Sequence, residues 1–209
     1  MFKSPVVIIF LTFLLSSCAS NKGFVAENIS GITQSHRTIA ILPFKVSFNE
    51  TMKMASGRRT KNAVYWQEQE RVAGLDMQQA MFISLAKMVE KGKMEKIIQD
   101  FTRTNKLLES SGISFQRLFE TDMRTIADIL EVDAVLFGDS MVEVDYSGMM
   151  MGGMNNGTTT KLSIIDAASS QVIWTQSVNK RPTSQMDTPK TIAQQSTNDL
   201  SRMLPYRLK

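Results

Sequence analysis

One cysteine and one histidine stand among 209 residues, and they bound the chemistry the chain can do. Cys18 has no second cysteine for an intramolecular disulfide, so its sulfur acts as a nucleophile or as nothing. Its thiolate is the strongest nucleophile among ordinary side chains. His36 is the sole imidazole, and it falls in a polar stretch that reads as a solvated linker. A Ser-His-Asp triad or a multi-histidine zinc site therefore lacks its parts. Glu143 and Asp145 alternate along a strand-like segment and would share one face. Paired carboxylates can run acid–base chemistry or bind calcium, but a solvated strand face explains them as well. No catalytic residue, metal ligand or cofactor-binding residue is expected.

The surroundings of Cys18 are more specific. Met1-Phe2-Lys3 is followed by the apolar run Pro5 to Leu15 and then by Ser16-Ser17-Cys18. A cation before about eleven mostly apolar residues is the layout of a secretory signal peptide, and the run falls short of the roughly 20 residues that span a bilayer. Leu15-Ser16-Ser17-Cys18 resembles the lipobox of bacterial lipoproteins. That resemblance implies cleavage before Cys18, a diacylglycerol thioether on its sulfur and an acylated new amine. Two or more acyl chains hold a protein on a membrane where one does not. Ala19 and Ser20 follow, and neither is the aspartate that retains many lipoproteins at the inner membrane. The outer membrane, on its periplasmic leaflet, is the expected location.

The elements that follow set the frame. Lys and Arg exceed Asp and Glu by 24 to 20, for a formal charge of +4. That surplus, without a long basic run, does not suit nucleic acid. Three regions are expected: a signal peptide over 1–17, the lipidated cysteine with a flexible tether over 18–37, and a periplasmic α/β domain over 38–209. The tether would reach at most about 65 Å extended and average about 24 Å as a coil.

The domain opens with "TIAILPFKV" (38–46), a core strand with Pro43 late in it. Residues 49–64 read as a long polar loop. A helical stripe of Val72, Leu75, Phe82, Leu85, Ala86 and Val89 follows, with Gly92 as its stop. "KMEKIIQD" (93–100) reads as a short strand. Helical patterning then runs on, broken near Gly112, with Phe115, Leu118, Phe119, Ile126, Ala127 and Leu130 facing the core. "DAVLFGDSMVEVDYS" (133–147) turns β-like, and two further strands flank a turn over Asp166 to Ser170. A last helix opens with Thr188 and Pro189 and buries Ile192, Leu200, Met203 and Leu204. The order β-α-β-α-β-β-β-α predicts a single α/β domain, a mixed sheet with helices packed on it.

Three pieces of this pattern resemble one group of periplasmic lipoprotein domains: "TIAILPF", "IADILEVDAVLFGDSMVEV", and "LSIIDAASSQVIWTQSV", where Ser169-Ser170 stand in place of the usual Thr-Gly. The group is the superfamily containing the curli-secretion lipoprotein CsgG, the penicillin-binding-protein activator LpoB and the amino-terminal domain of TolB. The resemblance implies non-catalytic work: binding and assisting an envelope protein complex. The alternatives are a subunit of an oligomeric secretion or transport complex, and a cell-wall or lipid hydrolase. A shared fold does not choose among such roles.

Two surface segments are candidates for partner contact. "ASGRRTKN" carries Arg58 and Arg59 just before Tyr65 and Trp66, and cations around aromatics are common at interfaces. An ordinary basic loop is the plainer reading. "YSGMMMGGMNNG" (146–157) sets Met149, Met150, Met151 and Met154 among glycines, which suits a hairpin tip. Soft thioethers also suit an adaptable apolar contact. The partners expected are the membrane, through the lipid, and an envelope protein, with a homo-oligomer as a further form.

Overall fold

A computed structural model describes residues 23–55, 63–145, 155–182, 187 and 189–208. Its elements run β1 (Phe24–Val25), α1 (Ile29–Ser35), β2 (Thr38–Ile41), β3 (Lys45–Phe48), α2 (Glu50–Ala55), α3 (Ala63–Glu90), β4 (Ile97–Ile98), α4 (Phe101–Ser110), α5 (Phe115–Leu118), α6 (Met123–Leu130), β5 (Ala134–Asp145), β6 (Asn155–Asp166), β7 (Val172–Lys180) and α7 (Pro189–Met203). The strands make one mixed sheet in the order β1-β7-β6-β5-β2-β4, with β3 continuing along β5 beyond β2. β2 and β3 run parallel to β5, and β2 runs parallel to β4, while β5, β6, β7 and β1 form an antiparallel set. This is the expected single α/β domain.

The period of two along β2 explains why helices cover both faces. Ile39 and Ile41 point into the main core, with Met77, Met81 and Leu85 of α3 and Leu200 of α7. Ala40 and Leu42 point the other way, onto Leu108, Leu118, Ile126 and Leu130. A strand segment buried on both faces must be apolar on both, as Ile39 to Leu42 are.

The corner after β2 is fixed by close approach. Phe44 donates its backbone N–H to the Gly74 carbonyl of α3 at 3.1 Å. A Cβ on Gly74 would lie 2.2 Å from the Phe44 carbonyl oxygen, and a Cβ on Gly138 of β5 would lie 2.2 Å from the Phe44 ring. Glycine at both places lets strand, helix and ring meet. Gly92 ends α3 with φ 63° and Gly112 ends α4 with φ 73°, the left-handed conformation that glycine adopts without steric cost.

Several expectations are corrected. The stretch read as tether folds back from Gly23 onward: β1 pairs with β7 (Phe24 opposite Thr175, Val25 opposite Trp174), and Ile29 and Ile32 of α1 pack on the main core. The loop expected over 49–64 contains α2 and the start of α3. On α3 the buried face is Gly74, Met77, Gln78, Met81 and Leu85, whereas Val72 and Val89 are exposed. Apolar residues occur around the whole helix, so spacing alone did not single out the face against the sheet. Met203 is exposed although Ile192, Leu200 and Leu204 are buried, because the helix ends at Met203 and the chain turns there. Phe115 and Phe119 are only half-buried and stack edge-on with ring centroids 5.0 Å apart.

Candidate functional site

His36 is not a linker residue. It is 2 % exposed, in the two-residue gap between α1 and β2, and both ring nitrogens are engaged. Nε2 lies 2.8 Å from Asp166 Oδ1 and Nδ1 lies 2.7 Å from the Tyr206 hydroxyl. Asp166 closes β6, and its other oxygen accepts from the backbone N–H of Ser169 at 2.7 Å and from the Ser169 hydroxyl at 2.5 Å. Burial opposes its charge, but the bonds from Ser169 and His36 outweigh that and hold its carboxyl below the usual range. An ionised carboxylate only accepts, so Nε2 donates to it. In the neutral imidazole Nδ1 then accepts, and Tyr206 donates its hydroxyl proton.

The arrangement has the linear order of a catalytic triad, but it ends in a buried phenol. Burial, helped by the charges of Asp166 and Asp133, pushes the Tyr206 hydroxyl far above its ordinary value. A nucleophile needs the opposite shift and an open approach. Around the tie, Lys96 Nζ donates to the carbonyls of Thr33 and His36 at 2.9 and 2.6 Å. Asp133 Oδ2 accepts from the backbone N–H groups of Arg37 and Thr38, both at 2.8 Å. These groups staple the amino-terminal segment to the end of the sheet where β2 begins. The chemistry is structural.

The opposite end of α3 is where the structure gathers side chains suited to contact. Trp66 sits edge-on to Phe48 of β3 with centroids 5.8 Å apart, and Tyr65 sits edge-on to Trp66 at 5.3 Å. Both are half-buried. Glu70 accepts the Phe48 backbone N–H at 3.2 Å and meets Lys53 of α2 at 3.4 Å, which fixes the strand against the two helices. On the other side of Phe48 opens a cleft of about 190 Å³ between α3, α7 and the sheet, lined by Val46, Phe48, Val72, Met77, Val142 and Ala193. Lys190 and Asp76 pair at 3.0 Å on its rim. The cleft is below the roughly 300–1,000 Å³ of small-molecule sites. Its size suits one large apolar side chain, the size of pocket that anchors many interfaces.

Of the residues expected at a contact, Tyr65 and Trp66 are thus brought together with Phe48 and the cleft. Cys18, Arg58, Arg59, Met149, Met150, Met151 and Met154 lie outside the described residues. Glu143 is exposed on β5, opposite Gly157 of β6. Among the described residues, no group of three or more His, Cys, Asp or Glu side chains comes together as a metal site, and no helix is long and apolar enough to cross a membrane. The functions of Asp166 and Tyr206 as partners of His36 were not legible, since 130 and 170 residues separate them from it.

No protein-family model and no curated protein matches the chain. Several solved structures are distantly similar. Lipoprotein GNA1162 from Neisseria meningitidis is 11 % identical, with 80 % of this chain and 97 % of that one covered at a TM-score of 0.49. The LpoB C-terminal domain from Salmonella enterica is 11 % identical over 70 % and 83 %, with a TM-score of 0.37. The PelC dodecamer from Paraburkholderia phytofirmans is 11 % identical over 78 % and 85 %, with a TM-score of 0.40. The similar structures thus include bacterial lipoproteins.

Proposed function

We propose that this protein is a non-catalytic lipoprotein of the bacterial envelope, anchored through Cys18 in the outer membrane and facing the periplasm, where it docks onto and assists a protein complex. The observation that carries this reading is the apolar run Pro5 to Leu15 leading into Leu15-Ser16-Ser17-Cys18, with the chain's one thiol at the position a lipidating enzyme would use. The geometry agrees with it in two ways. The only imidazole has both nitrogens engaged in a buried tie, and the cleft lined by Phe48, whose ring also meets Trp66, is small and apolar.

The contact surface is Tyr65 and Trp66, with Arg58 and Arg59 of the segment just before α3. Met149, Met150, Met151 and Met154 form a second contact. The partner inserts an apolar side chain beside Phe48 and meets the two arginines with acidic groups.

The deciding experiment places a photo-crosslinking amino acid at Trp66 in the full chain, irradiates cells and identifies adducts by mass spectrometry. An adduct with an envelope protein is expected. Adducts only with further copies of this chain would replace the docking role with self-assembly, and no adduct at all would remove it. The intact mass of the mature protein tests the anchor separately, since acylation of Cys18 adds the mass of its lipid chains.

A further inference from the structure

At the end of the molecule opposite Trp66, α3 and α7 finish side by side. The 28 residues of α3 separate the two ends by about 42 Å. Ser84 of α3 and Ser201 of α7 share a hydrogen bond of 2.7 Å. Beyond Gly92 the Lys93 N–H donates to the Met88 carbonyl, and the Leu208 N–H donates to the Lys93 carbonyl at 2.9 Å. That last bond fastens the residues after α7 onto the end of α3. Between the helix ends lies a concavity of about 300 Å³ whose charged lining is Lys87, Lys91, Lys93, Arg202 and Arg207, with no carboxylate among its lining residues.

Cations near helix C-termini complement the macrodipole, which accounts for Lys87 in the last turn of α3 and Arg202 in the last turn of α7. It also covers Lys91, next to the end of α3, but not Lys93 and Arg207, which lie farther past the helix ends. Arg202 meets Asp199 at 3.9 Å, and Asp199 also holds Lys180. Among the described residues the other four make no ion pair, and the neighbouring Glu90 and Glu95 are exposed and make none with them. Five cations lining one concavity together with Ser84, Asn198 and Ser201 are the chemistry of a phosphate site.

The pocket also adjoins the segment that leads to Cys18. Tyr206, bonded to His36, directly precedes Arg207, and Lys96, bonded to the carbonyls of Thr33 and His36, follows three residues after Lys93. β1 starts from Gly23, beside Thr175 and Gln176, and runs along β7 toward this same end, so Gly23 stands about four strand residues, or about 13 Å, short of it. Only five residues lead from Cys18 to Gly23, a span of at most about 18 Å. We propose that the pocket binds the phosphate of an anionic phospholipid headgroup in the membrane that holds Cys18, so that the ends of α3 and α7 rest on the bilayer. This rests on the lipid-anchor reading. A free phosphate offers the same charges, but the short connection keeps the pocket where lipid phosphates are concentrated, and basic clusters near a bilayer are drawn to anionic lipid. The Trp66 end then points away from the membrane, toward a partner.

The test uses the full mature protein in phosphatidylcholine vesicles with and without phosphatidylglycerol. Lysines are acetylated briefly and read by mass spectrometry. Phosphatidylglycerol should reduce modification of Lys87, Lys91 and Lys93 several-fold and leave the exposed Lys45 and Lys106 unchanged. The double variant Lys91→Glu/Lys93→Glu should lose the protection of Lys87. Equal modification with and without phosphatidylglycerol overturns the proposal. So does protection by inorganic phosphate over phosphatidylcholine alone, which makes the site one for free phosphate, or protection only in native envelopes, which assigns it to an acidic protein. An acylated chain with unprotected lysines overturns the pocket alone. An unacylated Cys18 overturns the anchor, and this inference with it.

Discussion

His36 and Asp166, 2.8 Å apart across 130 residues of sequence, join the segment before the first long strand to the end of the last hairpin. Replacing His36 by Ala leaves the Asp166 carboxylate and the Tyr206 hydroxyl without a shared partner in a buried site. A group orphaned in this way costs about 1–3 kcal/mol, and the volume lost adds to it. The expected result is destabilisation by about 2–4 kcal/mol, read by urea unfolding. Loss within 0.5 kcal/mol of zero would show that the tie contributes nothing. A shortened chain starting at Thr38 should fall in stability by more than His36→Ala, because it also removes β1 and the apolar contacts of α1.

Acid should unfold the protein through two carboxylates. Burial opposes ionisation of Asp133, but the N–H groups of Thr38 and Arg37 and the nearby positive charge outweigh it, so its carboxyl lies below the usual value. Asp166 is displaced in the same direction. A carboxyl lowered on folding adds stability that is complete above its unfolded value, about 3.9. That stability is lost as pH falls through the lower folded value. Stability measured between pH 6 and pH 3 should therefore drop most steeply below about pH 4, and Asp133→Asn should flatten the drop. Identical profiles for the two proteins would remove Asp133 as a cause.

Tyr206 carries the opposite sign. Its hydroxyl is raised on folding, so the folded state keeps a proton that the unfolded chain releases above about pH 10. Stability should fall as pH rises beyond that point. Tyr206→Phe should lose part of that alkaline fall while costing about 1 kcal/mol at neutral pH for the hydrogen bond to His36. Thermal unfolding at pH 8 and pH 10.5 separates the two effects.

The two glycines around Phe44 were visible only as letters. A Cβ on Gly138 meets the Phe44 ring, which can yield, whereas a Cβ on Gly74 meets the Phe44 backbone oxygen, which cannot without moving β3. Overpacking costs about 1–3 kcal/mol. Gly74→Ala should therefore destabilise more than Gly138→Ala, although alanine is the better helix former by about 1 kcal/mol. The reverse order in denaturant midpoints would contradict this account of the corner.

What the sequence made legible follows from how local each signal is. β2 announces itself because Ile39, Ala40, Ile41 and Leu42 are all apolar, and the end of α3 because Gly92 takes φ 63° there, which glycine does without steric cost. The β5–β6–β7 antiparallel set was readable from alternation and from the Asp166 turn. β1 was not readable, since two residues show no period and their order comes from pairing with Thr175 and Trp174. His36 was misplaced for the same reason: its polar neighbours suggest solvent, and only Asp166 and Tyr206 reveal the burial. Tyr65 and Trp66 were singled out by type and proximity to arginines, while the cleft lined by Phe48 needed Val142 and Ala193 from elements far along the chain.

Trp66 offers the sharpest separation between folding and docking. Its ring is half-buried between Phe48 and Tyr65, so Trp66→Ala removes two aromatic pairs of about 0.5–1.5 kcal/mol each along with some apolar burial, and the protein should remain folded. A tryptophan at the centre of an interface commonly contributes 2 kcal/mol or more to binding, equivalent to a roughly thirty-fold weaker complex. Trp66→Phe keeps most of the packing on Phe48 and loses the indole N–H. If the ring docks a partner, co-purification from detergent-solubilised envelopes should fall strongly for Trp66→Ala, with thermal stability reduced only modestly. Trp66→Phe should lie between that variant and the natural protein. Recovery of the same partner in equal amount by all three proteins would confine Trp66 to the fold and move the contact elsewhere on the surface.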